Sequence, residues 1–261
     1  PMKNSTTHYY KNKQLVREKV ESKFLIFFFY RFFVGKIFRY FITHGLINRF
    51  LGIFYNTRFS KRKIKKFIKK HGINHTRFVK APDKYTSFND FFIRRYKKKE
   101  LKIDKQGDTI ISPSDGKISV IKNIDAPNGF IIKQEQFTRE SFLQNSLYAE
   151  EYKNGTLLIS RLAPYDYHRY HFPIDAQVNN RYEISGIFES VHPYAFENLA
   201  KHPFITNHRV ITELEHVEYG KILVIAIGAL GVGKIQEIYN KTKNYHLKTG
   251  EMGYFEFGDR K

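Results

Sequence analysis

The chain has 261 residues, 41% hydrophobic and 16% aromatic, enough to bury a core and too apolar for a disordered polypeptide. It contains no cysteine, which excludes a disulfide framework, a thiolate metal site and a cysteine nucleophile. The formal charge of +20 is concentrated in residues 1–80, where 20 lysines and arginines face only Glu18 and Glu21. Such asymmetry predicts two parts, a basic front over 1–80 and a nearly neutral body over 81–261, with a polyanionic surface as partner of the front.

Between Phe24 and Phe59 stand 14 Phe or Tyr residues, interrupted by Arg31, Lys36, Arg39, Arg49 and Arg58. No uncharged stretch reaches the roughly 18–20 residues a bilayer-spanning helix needs. Each cation at a helix centre would add about 2.5–3.5 kcal/mol. A signal peptide is disfavoured as well, because Arg31 breaks the apolar run and no small-residue cleavage site follows. The pattern instead predicts helices lying in a membrane interface, with Phe27, Phe28, Phe32 and Phe33 dipping into lipid. Lys61, Arg62, Lys65 and Lys66 belong to a polybasic stretch ending at Lys70, and contribute about 1 kcal/mol apiece near an anionic leaflet. Two other readings compete: aromatics packing a core under a solvated lysine face, and a nucleic-acid-binding segment. Phe24 to Tyr30 carry no charge, which suits lipid better than stacked bases.

Gly45 and Gly52 are expected to punctuate the front helices, and Lys61 to Lys70 to form one more. Ser87 is placed to cap a short helix in SFNDFFIRRY, with Asp90 three residues on. From Thr109 the texture becomes short β-type runs. These are 109–112, 117–121, 156–160, 209–214, 221–228 and 233–239, with a short helix expected in 134–143. The fold class predicted is α+β: a helical, basic, membrane-facing N-terminal region followed by a mostly antiparallel β domain.

Three segments carry candidate chemistry. SPSDGKI, 112–118, contains an Asp-Gly pair common in hairpin turns. RLAPYDYHRYHFPIDAQV, 161–178, gathers Asp166, His168, Arg169 and His171 in a loop bounded by Pro164 and Pro173. His168 and His171, three apart, can meet on one face of a helical turn. As metal ligands they lack a third partner, so no metal is expected. They fit general acid–base groups, and as an isolated pair they fit buried structural histidines equally. GEMGYFEFGDRK, 250–261, is a turn and a strand that stop abruptly, so the last strand is expected to lack a partner and the chain to be incomplete.

In order and spacing, these segments resemble phosphatidylserine decarboxylases. The likeness runs from about Phe88 to Gly258 and includes FNDFFIRR, SPSDGKI, APYDYHRYHFPID, SVHPYAFENL, FITNHRV, IGALGVGKI and GEMGYFEFG. The resemblance implies a proenzyme that cuts itself between a Gly and a Ser, leaving a larger β chain and a small α chain. The Ser becomes a pyruvoyl group at the α chain's N-terminus. Asp115 would then orient a histidine, His171 would be the base for self-cleavage, His168 would serve decarboxylation, and Gly258 would precede the cut. The partners implied are phosphatidylserine, an anionic membrane surface and the α chain, with a homodimer compatible and nucleic acid not expected. The place implied is peripheral on a bacterial inner membrane or an organellar membrane. Asp259 stands where the family has its Ser, and a carboxylate can become neither ester nor pyruvoyl. The 261 residues alone are therefore expected to be inactive, and a non-catalytic lipid-binding relative is the alternative.

Overall fold

The computed structural model describes residues 8–11, 14–17, 33–101, 104, 106, 109–124, 130–132, 135–192 and 202–259. Phe27, Phe28 and Phe32 lie outside the described residues. A hairpin of β1 (His8–Lys11) and β2 (Gln14–Arg17) precedes α1 (Phe33–Thr43), α2 (Leu46–Asn56), a 3-10 turn (Arg58–Arg62) and α3 (Lys63–His71). Gly45 joins the first two helices with φ at +94°, in the left-handed region that glycine enters freely. Gly52 does not punctuate. It lies buried inside α2, where a Cβ would stand 2.7 Å from Gly258 Cα, so the helix accepts a weak helix former to let the chain's last strand approach.

The front helices leave much of their apolar surface outside. Phe38, Tyr40, Phe41, Phe50 and Ile53 are 56–65% exposed. On α3, Ile64 is buried while Lys65 and Lys66 are exposed, as are Lys61 and Arg62 just before it. Among the described residues, no helix is long and apolar enough to cross a membrane.

Ser87 caps α4 (Phe88–Phe92) as expected, its Oγ accepting from Asp90 N–H at 3.1 Å. The body then runs β3 (Lys117–Ile121), β4 (Phe130–Ile132), β5 (Glu135–Phe137), α5 (Arg139–Leu143), α6 (Ser146–Glu151), β6 (Leu157–Arg161) and β7 (Arg169–His171). It continues with β8 (Ala176–Ile184), α7 (Pro203–Thr206), β9 (Arg209–His216), β10 (Gly220–Ile227), β11 (Lys234–Glu237), β12 (Tyr245–His246) and β13 (Glu251–Glu256). Every pairing among these strands is antiparallel, in sheets ordered β10-β9-β8-β12, β11-β13-β7, β3-β6 and β4-β5. The architecture is α+β.

Several expectations change. Residues 109–112 form no strand, because their polar groups are used elsewhere: Ile111 N–H donates to Pro173 C=O and Lys248 Nζ to Thr109 Oγ1. The segment 134–143 splits at Thr138, whose capping box with Ser141 starts α5 only after β5 has ended. β8 escapes the alternation test because it bulges between Val178 and Asn180, which breaks the two-residue period. β13 has partners on both sides, β11 and β7, and is the central strand of its sheet.

Two cores bear on the site. Tyr170, Phe172, Ile174, Leu214 and Met252 pack between the two larger sheets. Ile64, Phe78, Tyr85, Phe88, Phe91 and Phe92 form an aromatic cluster with Phe257 against it, so α3, α4 and the end of β13 share one core.

Candidate active site

β7 decides where the two histidines go. On extended chain, side chains three apart point to opposite sides, so His168 and His171 cannot share the face that a helical turn would have given them. His168 lines a cavity of about 1010 Å³, walled largely by aliphatic residues such as Leu158, Leu223, Ile225 and Ile227 between β6 and β10. His171 lines a smaller cavity of about 320 Å³ with Asp115, Tyr96 and Tyr167. Pro113 and Ser114 border both.

His168 is buried, and its Nδ1–H donates to the Asp166 carbonyl at 3.0 Å. That tautomer leaves the lone pair on Nε2. The Phe92 ring lies 3.9 Å from the imidazole, centroid to centroid. Burial, with help from the Arg94 cation, pushes the His168 pKa down to about 3, so the ring is neutral near pH 7. A neutral imidazole in an apolar cavity can take a proton from a bound cation and return it.

SPSDG is not a simple hairpin turn. Ser114 bridges to Tyr170, Pro113 C=O accepts from His171 N–H at 2.7 Å, and Ser160 Oγ donates to Asp115 C=O at 3.1 Å. Gly116 takes φ +119°, where a Cβ would meet Arg161 C=O at 2.6 Å, so the turn is pressed onto β6 and β7 together. Asp115 is exposed and accepts from Tyr96 Oη–H at 3.2 Å. Neither ring nitrogen of His171 makes a well-formed hydrogen bond among the described residues. Burial lowers its pKa, opposed by the charges of Glu251 and Asp115. Asp115 and His171 thus share one cavity, and His168 faces the other.

Gly258 lies with His168 rather than His171. β13 runs antiparallel to β7, with Glu251 opposite His171, while Phe255 N–H donates to His168 C=O at 2.9 Å. Roughly 16 Å of strand separates Glu251 from Glu256 at the usual rise per residue, and Gly258 follows. Gly258 C=O accepts from Gly233 N–H at 3.0 Å, next to Val232 on the large cavity's wall. Asp259 packs toward Gly45.

Two arginines hold this loop, of which sequence reasoning picked out Arg169 and missed Arg94. Arg94 is 2% exposed, and Arg169 bonds Ile93 C=O and Glu251, each at 2.8 Å. The signal available was FFIRR, a cation set against three apolar residues where a solvated face would not need one. Tyr96 and Tyr167 were missed as well; their rings stack at 4.3 Å beside His171.

A family model described as phosphatidylserine decarboxylase matches residues 88–260. Phosphatidylserine decarboxylase proenzymes of Chlamydia muridarum and Fusobacterium nucleatum are 35% and 36% identical to this chain. The alignments cover 93% and 95% of the chain, and 80% and 82% of those proteins. The proenzyme of Clostridium perfringens is 36% identical over 86% of the chain and 76% of its own length. The chain belongs to the phosphatidylserine decarboxylase family.

Proposed function

We propose that this chain is the larger part of a pyruvoyl-dependent enzyme that turns phosphatidylserine into phosphatidylethanolamine and CO₂. The observation that carries the reading is His168 buried at the wall of an apolar cavity large enough for lipid, beside β13, from which the chain runs on to Gly258. A pyruvoyl group fits this cavity, where His168 Nε2 offers a lone pair and the walls are largely aliphatic. Asp259 does not fit as its source, so the group would come on the N-terminus of a companion α chain. When bound, pyruvoyl supplies a carbonyl electron sink for the electrons left behind by CO₂.

The remaining work falls to this chain's own residues. The substrate's amine arrives as an ammonium, and Nε2 of His168 takes one of its protons. Loss of CO₂ leaves a carbon that needs one proton, which Nε2 returns. Burial opposes the uptake and drives the return, because it destabilises the imidazolium, so the proton rests on Nε2 only in passing. Asp115 and His171 serve the earlier self-cleavage, where an acid–imidazole pair activates a serine hydroxyl. With Gly258 at the His168 end of β13, that role requires the strand to run differently before the cut.

The exposed aromatic face of α1 and α2, with Lys61, Arg62, Lys65 and Lys66 beside it, supports a peripheral seat on an anionic membrane. Asp259 favours one second reading, a non-catalytic relative that keeps the fold and binds lipid.

The test expresses the full native gene and takes intact masses of everything that co-purifies, alongside phosphatidylethanolamine formation from phosphatidylserine vesicles. A chain ending at Gly258 beside a small polypeptide with a blocked N-terminus, and turnover abolished by His168→Ala with cleavage intact, is the expected result. A single uncut species that releases no CO₂ would leave the lipid-binding reading.

A further inference from the structure

His168 is not oriented by its own hydrogen bond alone. The Asp166 carbonyl that accepts from His168 Nδ1–H at 3.0 Å also accepts from Arg94 Nη2 at 2.7 Å. The same Nη2 donates to the neighbouring Tyr165 carbonyl at 2.7 Å, and Nη1 to Phe92 C=O at 3.4 Å. One guanidinium therefore spans two consecutive carbonyls of the 161–168 loop and the end of α4. The Phe78 and Phe91 rings flank it at 4.9 and 5.1 Å. Among the described residues its hydrogen-bond partners are all backbone carbonyls, none a carboxylate, and Nε has no partner.

A buried cation bonded only to carbonyls is a poor stability device, since desolvation is costly and the acid charges of Asp166 and Asp115 reach it only through space, without a hydrogen bond. Such a placement is explained by what the guanidinium fixes. A carbonyl carries two acceptor sites, and here one is filled by Arg94 and the other by the imidazole N–H. With the loop carbonyl pinned, the ring has one satisfied tautomer and one orientation. The second arginine completes the clamp from β7: Arg169 Nε donates to Ile93 C=O, one residue before Arg94.

We propose that Arg94 is the positioning residue of the site, pinning the Tyr165 and Asp166 carbonyls so that His168 keeps the Nδ1–H tautomer and offers Nε2 to the large cavity. The proposal rests on His168 being the proton-handling group. Arg94 touches neither substrate nor reacting atoms and acts through the loop. The charged and aromatic groups packed about the imidazole are the Arg94 cation, the Phe92 ring and Asp166, whose carboxylate accepts from Ala163 N–H at 2.6 Å.

The test uses the processed enzyme in detergent with ¹⁵N-labelled histidine. In the unmodified protein, His168 is expected as a single neutral tautomer, protonated at Nδ1; an Nε2–H ring or an imidazolium near neutral pH would overturn the proposal without any variant needing to fold. In Arg94→Lys, which keeps the charge and loses the fork, the two tautomers should mix. Losing the group that orients a metal-bound histidine costs roughly 10–100-fold, and a loss of that size is expected here in kcat, with KM within about twofold. Arg94→Gln removes the charge too, so its His168 titration should move up, whereas the lysine variant's should not. Variants that are only less stable, with tautomer and kcat unchanged, would reduce Arg94 to a packing residue and sink the idea. His168→Ala is run in parallel: if it keeps turnover, the proton-handling role of His168 falls, while the tautomer spectra still judge Arg94.

Discussion

In α1 and α2, Phe38, Phe41 and Phe50 stand 56–65% exposed, whereas Phe91, Phe92 and Phe172 in the body are at most 1% exposed. Cations divide in the same way. Lys65 and Lys66 lie open on α3, while Arg94 and Arg209 are sealed and bonded to backbone carbonyls. The two regions use the same residue types for opposite purposes. In the body an aromatic ring supplies buried area and a cation supplies geometry, and in the front both are left available to something outside the chain. Composition alone cannot separate the two uses, because it counts residues without saying which face they occupy.

The largest effect that can break this contrast is on stability. Phe91 contacts the rings of Phe67, Phe78, Tyr85 and Phe88 and lies under the Arg94 guanidinium. Phe91→Ala should therefore cost about 3–5 kcal/mol, as truncation of a buried aromatic does. Phe50→Ala should stay within about 0.5 kcal/mol, the usual range for a surface change. Urea unfolding of the two variants side by side measures the difference. Equal losses would mean that the front's aromatics are buried in the folded protein and that the contrast is false.

How much of this was legible follows from where the information resides. The α+β class and the runs at 117–121, 156–160, 209–214, 221–228 and 233–239 were readable, because alternation and turn residues are local signals, whereas β4, β5, β7 and β8 were not. The front helices were readable from Gly45 and from the lysine-rich stretch 61–70. The site was readable only as a set of residue types. Whether His168 and His171 meet depends on whether 169–171 is a helical turn or a strand. That is decided by pairing with β13, some 80 residues further on, and no local pattern encodes it. Gly52 likewise reads as a helix breaker until Gly258 is found 2.7 Å from its missing Cβ. Arg94 was hidden for the same reason, since its partners Tyr165 and Asp166 are more than 70 residues away.

The next effect tests how dry the body is. His168 has a folded pKa pushed down to about 3, against an ordinary value near 6.5. A depressed histidine contributes stability above its unfolded pKa and loses it as the pH falls toward the folded one. Between pH 7 and pH 5 the loss from His168 alone should be about 2 kcal/mol. His171, also lowered by burial, adds in the same direction. The check is the difference in unfolding free energy between the wild-type protein and His168→Asn at the two pH values. A wild-type protein no more acid-sensitive than the variant would mean that water reaches the ring in the native state.

The smallest effect concerns the front and what covers it. Lys65 and Lys66 are exposed, so Lys65→Ala and Lys66→Ala should leave unfolding almost unchanged. If they face an anionic leaflet, each removes about 1 kcal/mol of binding to phosphatidylserine-containing vesicles, or roughly a fivefold weakening. The loss should fade between about 0.1 M and 1 M salt, where the screening length shortens from about 10 to 3 Å. Phe50→Ser should weaken binding at every salt concentration, because apolar insertion is not screened. The two behaviours separate charge from insertion on one surface. Vesicle binding indifferent to all three changes would return the front to an ordinary solvated face, and preferential binding to an oligonucleotide would turn the same cations toward nucleic acid.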